Sequence, residues 1–150
     1  MEEKKRLYCE QIEHEVIMLM RRADFKRTMA GSPPTMDRSA YLLLKWLEQE
    51  GDAAIGEIAD VFQLDNSTIS RQISSLEKKG WAERYTDPAD ARVSKVHITE
   101  AGRTTINEAK AQRQEIYGKL LEDWTEEELQ TFSTLFARLN RSIERYRRLR

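Results

Sequence analysis

The sequence predicts a mainly α-helical chain with one small β-hairpin, an α+β fold, and three observations support this class. An amphipathic helix pattern occupies each end of the chain. Two shorter helix patterns, joined by a polar turn, lie between Ala54 and Lys79. The following residues, up to Ile98, alternate between apolar and polar side chains around an Asp-Pro-Ala turn, a pattern typical of a hairpin.

Composition narrows the class of protein. The chain has 150 residues, enough for one domain; 34% are charged and 39% are hydrophobic, which disfavours both disorder and a membrane protein. No apolar run approaches the roughly 20 residues that span a bilayer, and the N-terminus lacks the apolar core of a signal peptide. We therefore expect a cytoplasmic protein. Cys9 is the single cysteine, so an intramolecular disulfide and a multi-cysteine zinc site are excluded.

The first helix is predicted from about Glu3 to Met29, because apolar residues recur there every three or four positions. The segment Gly31–Pro34 ends it, since paired prolines cannot continue a helix. Asp37 caps a second helix that runs to about Glu50. This helix is apolar over much of its circumference, which predicts a buried, central position.

The middle of the chain has the pattern of a helix-turn-helix. A short helix is predicted from Ala54 to Phe62, and a second begins with Ser67 or Asn66 as its N-cap, continues to Lys79 and ends at Gly80. The predicted inward-facing residues of the helix-turn-helix are Ile55, Ile58, Ala59, Phe62, Leu64, Ile69, Ile73 and Leu76.

A hairpin and two long helices complete the prediction. The strands are expected at Trp81–Tyr85 and Ser94–Ile98, and Thr99 begins the first long helix. Thr125 and Glu128 form a capping box for the last helix. Its apolar residues alternate at steps of three and four, which is typical of a helix packed against another helix.

The helix-turn-helix carries residues suited to DNA. Short hydroxyl side chains fit close to phosphates, and an arginine can bind guanine through two hydrogen bonds. The predicted contacts at the start of the second helix are Ser67, Thr68, Ser70 and Arg71. The net charge of −1 means that DNA binding would depend on such local patches. An ordinary helical hairpin with a solvated polar face is the alternative.

The hairpin adds a second predicted contact. A basic residue at the tip of a hairpin can enter the minor groove, and Arg92 is placed to do so, with Asp90 two residues away to fix its direction. Lys95 is a further predicted DNA contact on the returning strand. The alternative is an exposed turn with a surface ion pair worth ~0–1 kcal/mol.

Five segments of this region resemble the MarR family of winged-helix regulators. They are Ile58-Ala59, Ser67–Arg71, Leu76–Gly80, Asp87–Arg92 and Ile98–Gly102. The resemblance implies a winged helix-turn-helix with long terminal dimerisation helices, and a repressor whose wings straddle a pseudo-palindromic operator in duplex DNA. It also implies that Arg92 enters the minor groove and that Asp90 orients it. Ala91 departs from the family, which often has glycine or a basic residue there.

The resemblance also divides the chain by role. Residues 37–98 would form the DNA-binding lobe, and residues 1–36 and 99–150 the helical dimerisation region. The residues themselves also favour a homodimer, because the long apolar stripes exceed what a small core can cover. A monomer whose terminal helices pack on each other is the alternative.

An effector site is expected because the family binds small aromatic anions between its dimerisation and DNA-binding lobes. The predicted lining residues are Met18, Tyr41 and His14, with Met20 and Met29 nearby in the pattern. The alternative is that the methionines and Tyr41 fill the core.

Cys9 and His14 have further possible roles. Some family members sense oxidants through one cysteine on the first helix, so Cys9 is a redox candidate, although an inert helical cysteine is the simpler interpretation. DNA affinity that is unchanged by alkylation of Cys9 would exclude the sensor. Glu10 and His14 have the spacing of a metal pair, but one such pair is a weak signal, and we predict neither a metal nor a cofactor.

Two other functions remain alternatives. One is a winged-helix protein–protein interaction module without DNA binding, and the other is a small enzyme. The sequence has no glycine-rich phosphate loop and no nucleophile–histidine arrangement, so it predicts a protein that is not an enzyme.

Overall fold

A computed structural model of the chain describes residues 1–22 and 36–149. The chain divides into two compact units, Met1–Ile116 and Tyr117–Arg150. The elements in chain order are α1 (Glu3–Arg21), α2 (Arg38–Glu50), β1 (Ala53–Ala54), α3 (Ile55–Phe62), α4 (Asn66–Lys78), β2 (Ala82–Asp87), β3 (Asp90–Ile98), α5 (Glu100–Leu120) and α6 (Glu126–Arg148). The predicted α+β class is confirmed. Within the described ranges, no helix combines the length and apolarity that a membrane crossing requires.

The core of the first unit is built around α2. Asp37 caps this helix as predicted, its carboxylate accepting a hydrogen bond from the Ala40 N–H at 2.8 Å, and Gly51 ends it at φ 85°. Leu42 is 45% exposed, so the helix is buried on one side rather than all round. The fully buried side chains of this core come from α2 itself and from the elements packed on it: Leu43, Leu44, Leu47, Ile58, Ile69, Ile73, Leu76, Val96 and Ile106.

The helix-turn-helix consists of α3 and α4. Leu64, in the turn between them, was predicted to face inward but is 41% exposed. The turn is closed by Gln63, in a left-handed conformation at φ 55°, and by a hydrogen bond from Leu64 N to Ala59 O at 3.0 Å. The predicted cap, Ser67 or Asn66, is wrong. Asp65 is the N-cap, because its carboxylate accepts the Thr68 N–H at 2.6 Å, and this backbone hydrogen bond lowers the pKa of Asp65.

Helix α4 ends at Lys78, one residue before its predicted end, and Gly80 stops it as predicted by taking the left-handed conformation that glycine adopts readily (φ 76°). Two hydrogen bonds complete the end of the helix. Gly80 N donates to Glu77 O at 2.9 Å, and Trp81 N donates to Leu76 O at 3.0 Å. This pattern is a Schellman motif, and it fixes the direction in which the chain enters the hairpin.

The sheet is antiparallel, with strand order β1–β3–β2. Its hairpin, β2–β3, is called the wing below. Both strands are longer than predicted and the turn is only Pro88-Ala89, because the Asp87 carboxylate accepts the Ala89 N–H at 3.0 Å and tightens the turn. Arg92 therefore lies in β3 beside the turn and not in it. Strand β1, which was not predicted, has two residues and pairs Ala53 with Val96.

Helix α1 begins at Glu3 as predicted but ends at Arg21, because the backbone of Arg22 is extended. The remainder of the predicted helix to Met29, and the predicted break at Gly31–Pro34, lie outside the described residues. No side chain on α1 is buried within the single chain. Its exposed large apolar side chains are Leu7, Tyr8, Ile12, Val16, Ile17, Leu19 and Met20.

The second unit contains α6, whose predicted capping box is confirmed. Glu128 N donates to Thr125 Oγ1 at 3.1 Å, and Thr125 N donates to Glu128 Oε1 at 2.9 Å. Trp124 packs edge-on against Phe132, with ring centroids 5.3 Å apart. No side chain of α6 is buried, and its exposed apolar residues are Phe132, Leu135, Phe136, Ile143 and Tyr146.

Candidate nucleic-acid interface

The first turns of α4 present polar side chains outward. Ser67 and Arg71 are exposed and Thr68 is half-buried. Arg71 Nη2 donates to Thr68 Oγ1 at 3.3 Å, so these two side chains are oriented together. This end of α4 is therefore suited to contact a nucleic-acid backbone and the base edges beside it.

The wing holds Arg92 in a defined direction. Arg92 Nε and Nη2 donate to the two carboxylate oxygens of Asp90 at 3.1 and 3.2 Å, and the Arg92 backbone N–H donates to the same carboxylate at 3.1 Å. The side-chain and backbone hydrogen bonds from Arg92 lower the pKa of Asp90. The Arg92 side chain is nevertheless 91% exposed. The guanidinium is thus aimed by its partner and remains open to a ligand.

Two of the other predicted DNA contacts are engaged within the protein. Ser70 is half-buried, and its Oγ accepts a hydrogen bond from Arg84 Nη1 at 2.9 Å. Lys95 Nζ lies 3.8 Å from the carboxylate of Asp87. Among the predicted DNA contacts, the exposed side chains are therefore those of Ser67, Arg71 and Arg92.

Tyr41, one of the predicted effector-site residues, packs against Arg113 of α5. The guanidinium of Arg113 lies 3.6 Å from the centre of its ring, and Lys45 Nζ lies 5.7 Å away. Arg113 Nη1 is shielded from solvent and has no hydrogen-bond partner among the residues that the structure describes. A shielded, unsatisfied guanidinium N–H beside an aromatic ring is an environment suited to an anion.

The other predicted effector residues and Cys9 lie on α1. His14 and Cys9 are exposed and Met18 is half-buried. Over residues 1–22 and 36–149, no hydrogen bond, ion pair or ring contact joins His14 or Met18 to Tyr41, and Met29 lies outside these ranges. The same residues contain no group of three or more His, Cys, Asp or Glu side chains arranged to hold a metal ion.

A polar cluster at the base of the wing was not foreseen. Asp52 accepts hydrogen bonds from the Tyr85 hydroxyl and from His97 Nδ1, both at 2.8 Å. Since a carboxylate can only accept, Nδ1 must carry the proton in this arrangement. Burial raises the pKa of Asp52, but the hydrogen bonds from His97 and Tyr85 outweigh it and hold the pKa below its ordinary value. The cluster links the start of β1 to both strands of the wing.

Asp52→Asn is expected to destabilise the fold in a pH-dependent way. Because the folded-state pKa is lowered, the carboxylate contributes stability above its ordinary pKa of 3.8, and this contribution is lost as pH falls through the lowered value. At neutral pH the variant should lose no more than about 1 kcal/mol of unfolding free energy, since the Asp52–His97 pair is partly exposed. Urea unfolding at neutral and acidic pH measures it. A difference between variant and wild type that persists below the folded-state pKa would contradict this assignment.

Arg84 and Arg113 were not predicted as site residues, although the position of each in its element indicates an inward-facing side chain. Arg84 follows buried Ala82 by two residues in β2, so strand alternation places it on the inward face. Arg113 occupies a position in the apolar stripe of α5 that begins at buried Ile106. A charged residue at an inward position requires partners, and these were identifiable only once the elements were placed.

Comparison with known proteins gives consistent results. A model of the MarR family matches residues 36–94. The chain is 37% identical to the uncharacterized HTH-type transcriptional regulator YxaD of Bacillus subtilis over 134 residues, which cover 89% of this chain and 94% of the relative. Two solved structures share the fold. A mutant MarR from E. coli complexed with operator DNA has a TM-score of 0.70 and 22% identity, covering 89% of this chain and 97% of that one. Streptococcus pneumoniae FabT in complex with DNA has a TM-score of 0.66 and 17% identity, covering 95% and 97%.

Proposed function

Because the chain belongs to the MarR family, we propose that it is a transcriptional regulator that binds duplex DNA as a homodimer and represses the genes it controls. The Asp90–Arg92 pair is the observation that carries the proposal. An arginine that is held by two hydrogen bonds and is 91% exposed loses little freedom on entering a groove. The two relatives of this fold that were solved with DNA support the same assignment.

In this proposal the two elements contact different grooves. The first turns of α4, with Ser67, Thr68 and Arg71, enter the major groove, where base edges are distinguishable. Arg92 enters the adjacent minor groove, where a narrow A·T stretch concentrates negative potential. The order of the elements supports this division, since α4 leads directly into the wing through Gly80.

The homodimer is supported by exposed apolar helices. On α1, Tyr8 and Ile12 are 60% and 54% exposed, and on α6, Phe132 and Ile143 are 47% and 54% exposed. Large apolar side chains repeated along a helix in this way are typical of a surface that another molecule covers. A second copy would pair these faces by twofold symmetry. Residues 1–36 and 99–150 are the proposed dimerisation region, and residues 37–98 the proposed DNA-binding lobe.

An anionic aromatic effector is proposed to modulate DNA affinity from the site at Tyr41. The support comes from Arg113, whose shielded Nη1 offers an ionic hydrogen bond beside the Tyr41 ring. Met18 and His14 are proposed to complete the site. Calorimetry with benzoate as the probe tests this assignment. Arg113→Met should abolish a benzoate affinity that the exposed Arg103→Met control retains, and equal binding by both variants would refute it.

The proposed function is tested by selection from a random duplex pool with the full-length chain. We expect enrichment of a pseudo-palindrome whose half-sites lie about 34–36 Å apart, one helical turn. Sedimentation should give twice the chain mass of 17.6 kDa. An intact dimer that enriches no sequence would instead indicate a protein–protein interaction module, and a monomer would contradict the symmetric arrangement.

A further inference from the structure

Arg84 makes more hydrogen bonds with α4 than any other wing residue for which the structure gives contacts. Its Nε donates to Glu77 Oε1 at 2.9 Å, and its backbone N–H donates to Glu77 Oε2 at 3.3 Å. Its Nη1 donates to Ser70 Oγ at 2.9 Å, and its Nη2 donates to Ser70 O at 2.6 Å and to Ser74 Oγ at 2.5 Å. All three guanidinium nitrogens are therefore bonded to one helix.

The acceptors form a single row on α4. Ser70, Ser74 and Glu77 are spaced four and three residues apart, which places them on one face of the helix. Ser74 Oγ also donates to Ser70 O at 3.0 Å, so the two serines are linked to each other. The planar guanidinium fork matches this row, whereas the ammonium of a lysine cannot reach all of these acceptors at once.

Arg84 is poorly placed to contact a phosphate itself. Its side chain is only 27% exposed, and each of its nitrogens already has a partner within the protein. By contrast, Arg71 and Arg92 are exposed and lie on the two elements that Arg84 joins. Arg84 thus differs from the proposed DNA contacts in both burial and bonding.

We propose that Arg84 is a positioning residue that fixes the wing relative to α4, so that both elements can engage DNA together. This inference rests on the proposed function, and it adds a residue that touches no DNA. It also changes the role of Ser70, which becomes an acceptor for Arg84 instead of a DNA contact. Simultaneous binding in two grooves requires a fixed separation between the contacting groups, and a loose wing would forfeit that geometry.

Arg84→Lys tests the inference, because it keeps the positive charge and removes the fork. Dissociation constants are measured across salt concentrations for the duplex that wild type selects and for a scrambled duplex. Loss of charge-assisted hydrogen bonds should weaken binding to the selected duplex by about tenfold or more. The affinity for the scrambled duplex should stay at the wild-type value, and so should the slope of log affinity against log salt, since no phosphate contact is lost. The exposed Arg103→Lys serves as the control.

Three results would overturn the inference while the proposed function stands. The first is an Arg84→Lys variant that prefers the selected duplex over the scrambled one as strongly as wild type does. The second is a slope of log affinity against log salt that falls by about one, as expected for a direct phosphate contact. The third is full additivity of the effects of Ser70→Ala and Arg84→Lys on the free energy of binding. Residues that act through one bonded unit should instead be non-additive. If Arg84→Lys does not fold, Ser74→Ala is the substitute variant. It removes one acceptor of the Arg84 guanidinium and should also weaken binding to the selected duplex more than binding to the scrambled one. A wild type that selects no duplex would refute the proposed function and this inference together.

Discussion

Arg92→Ala is expected to weaken binding to the selected operator by about 1–3 kcal/mol for each half-site, because it removes the groove contact of each wing. The residue is 91% exposed and makes no hydrogen bond beyond Asp90 among the contacts that the structure gives, so fold stability should not change. Fluorescence anisotropy with the selected duplex measures the affinity, and thermal unfolding checks the fold.

The matched control for Arg92 is Arg103→Ala, which removes an equal charge from an exposed position on α5. Replacing A·T pairs opposite the wing with G·C widens the minor groove and weakens its negative potential. The wild-type affinity should therefore fall, and the difference in affinity between wild type and Arg92→Ala should become smaller. Equal affinities for Arg92→Ala and Arg103→Ala would exclude Arg92 as a groove contact.

Gly102→Ala is expected to destabilise the protein by about 3 kcal/mol or more, the upper range for overpacking a buried site. A Cβ at Gly102 would overlap the backbone carbonyl of Trp81 and lie 3.0 Å from Ile98 Cγ1. The Trp81 backbone cannot easily move away, because its oxygen accepts the Thr99 N–H at 3.0 Å and its N–H donates to Leu76 O at 3.0 Å.

The control for Gly102 lies in the same helix. Nothing lies within 4 Å of a Cβ at Gly118, so Gly118→Ala should be neutral or stabilise by about 0.5–1 kcal/mol through helix propensity. Urea unfolding of both variants gives the comparison. Similar midpoints for Gly102→Ala and wild type would contradict the close packing of α5 on the base of the wing.

Where a local signal determined the structure, the sequence was sufficient to predict it. Asp37 begins α2, Thr125 and Glu128 begin α6, and the apolar residues of α3 and α4 face inward as their spacing indicates. The ion pair of Asp90 with Arg92 was also predictable, because the two opposite charges lie two positions apart in the chain beside a turn.

Features that depend on how the chain is placed in space were not predictable in the same way. Asp65, Asn66 and Ser67 are all good cap residues, and the sequence does not distinguish which of them accepts a backbone N–H, as the Asp65 carboxylate does from Thr68. Strand β1 is too short to show alternation and exists by pairing with β3. Arg84 acquires its partners from α4 only because the wing folds back against that helix, and Arg113 acquires Tyr41 from α2, which lies far from it in sequence.

The salt dependence of binding to the selected duplex tests the central claim most directly. A dimer that places α4 and Arg92 against the backbone should show log affinity falling linearly with log salt, by about 0.9 for each phosphate contact. If the dimer makes some six to ten phosphate contacts, raising the salt concentration from about 50 to about 200 mM should reduce its affinity by roughly 10³–10⁵. Binding that is absent or independent of salt, in a chain that remains dimeric, would contradict the assignment as a DNA-binding regulator.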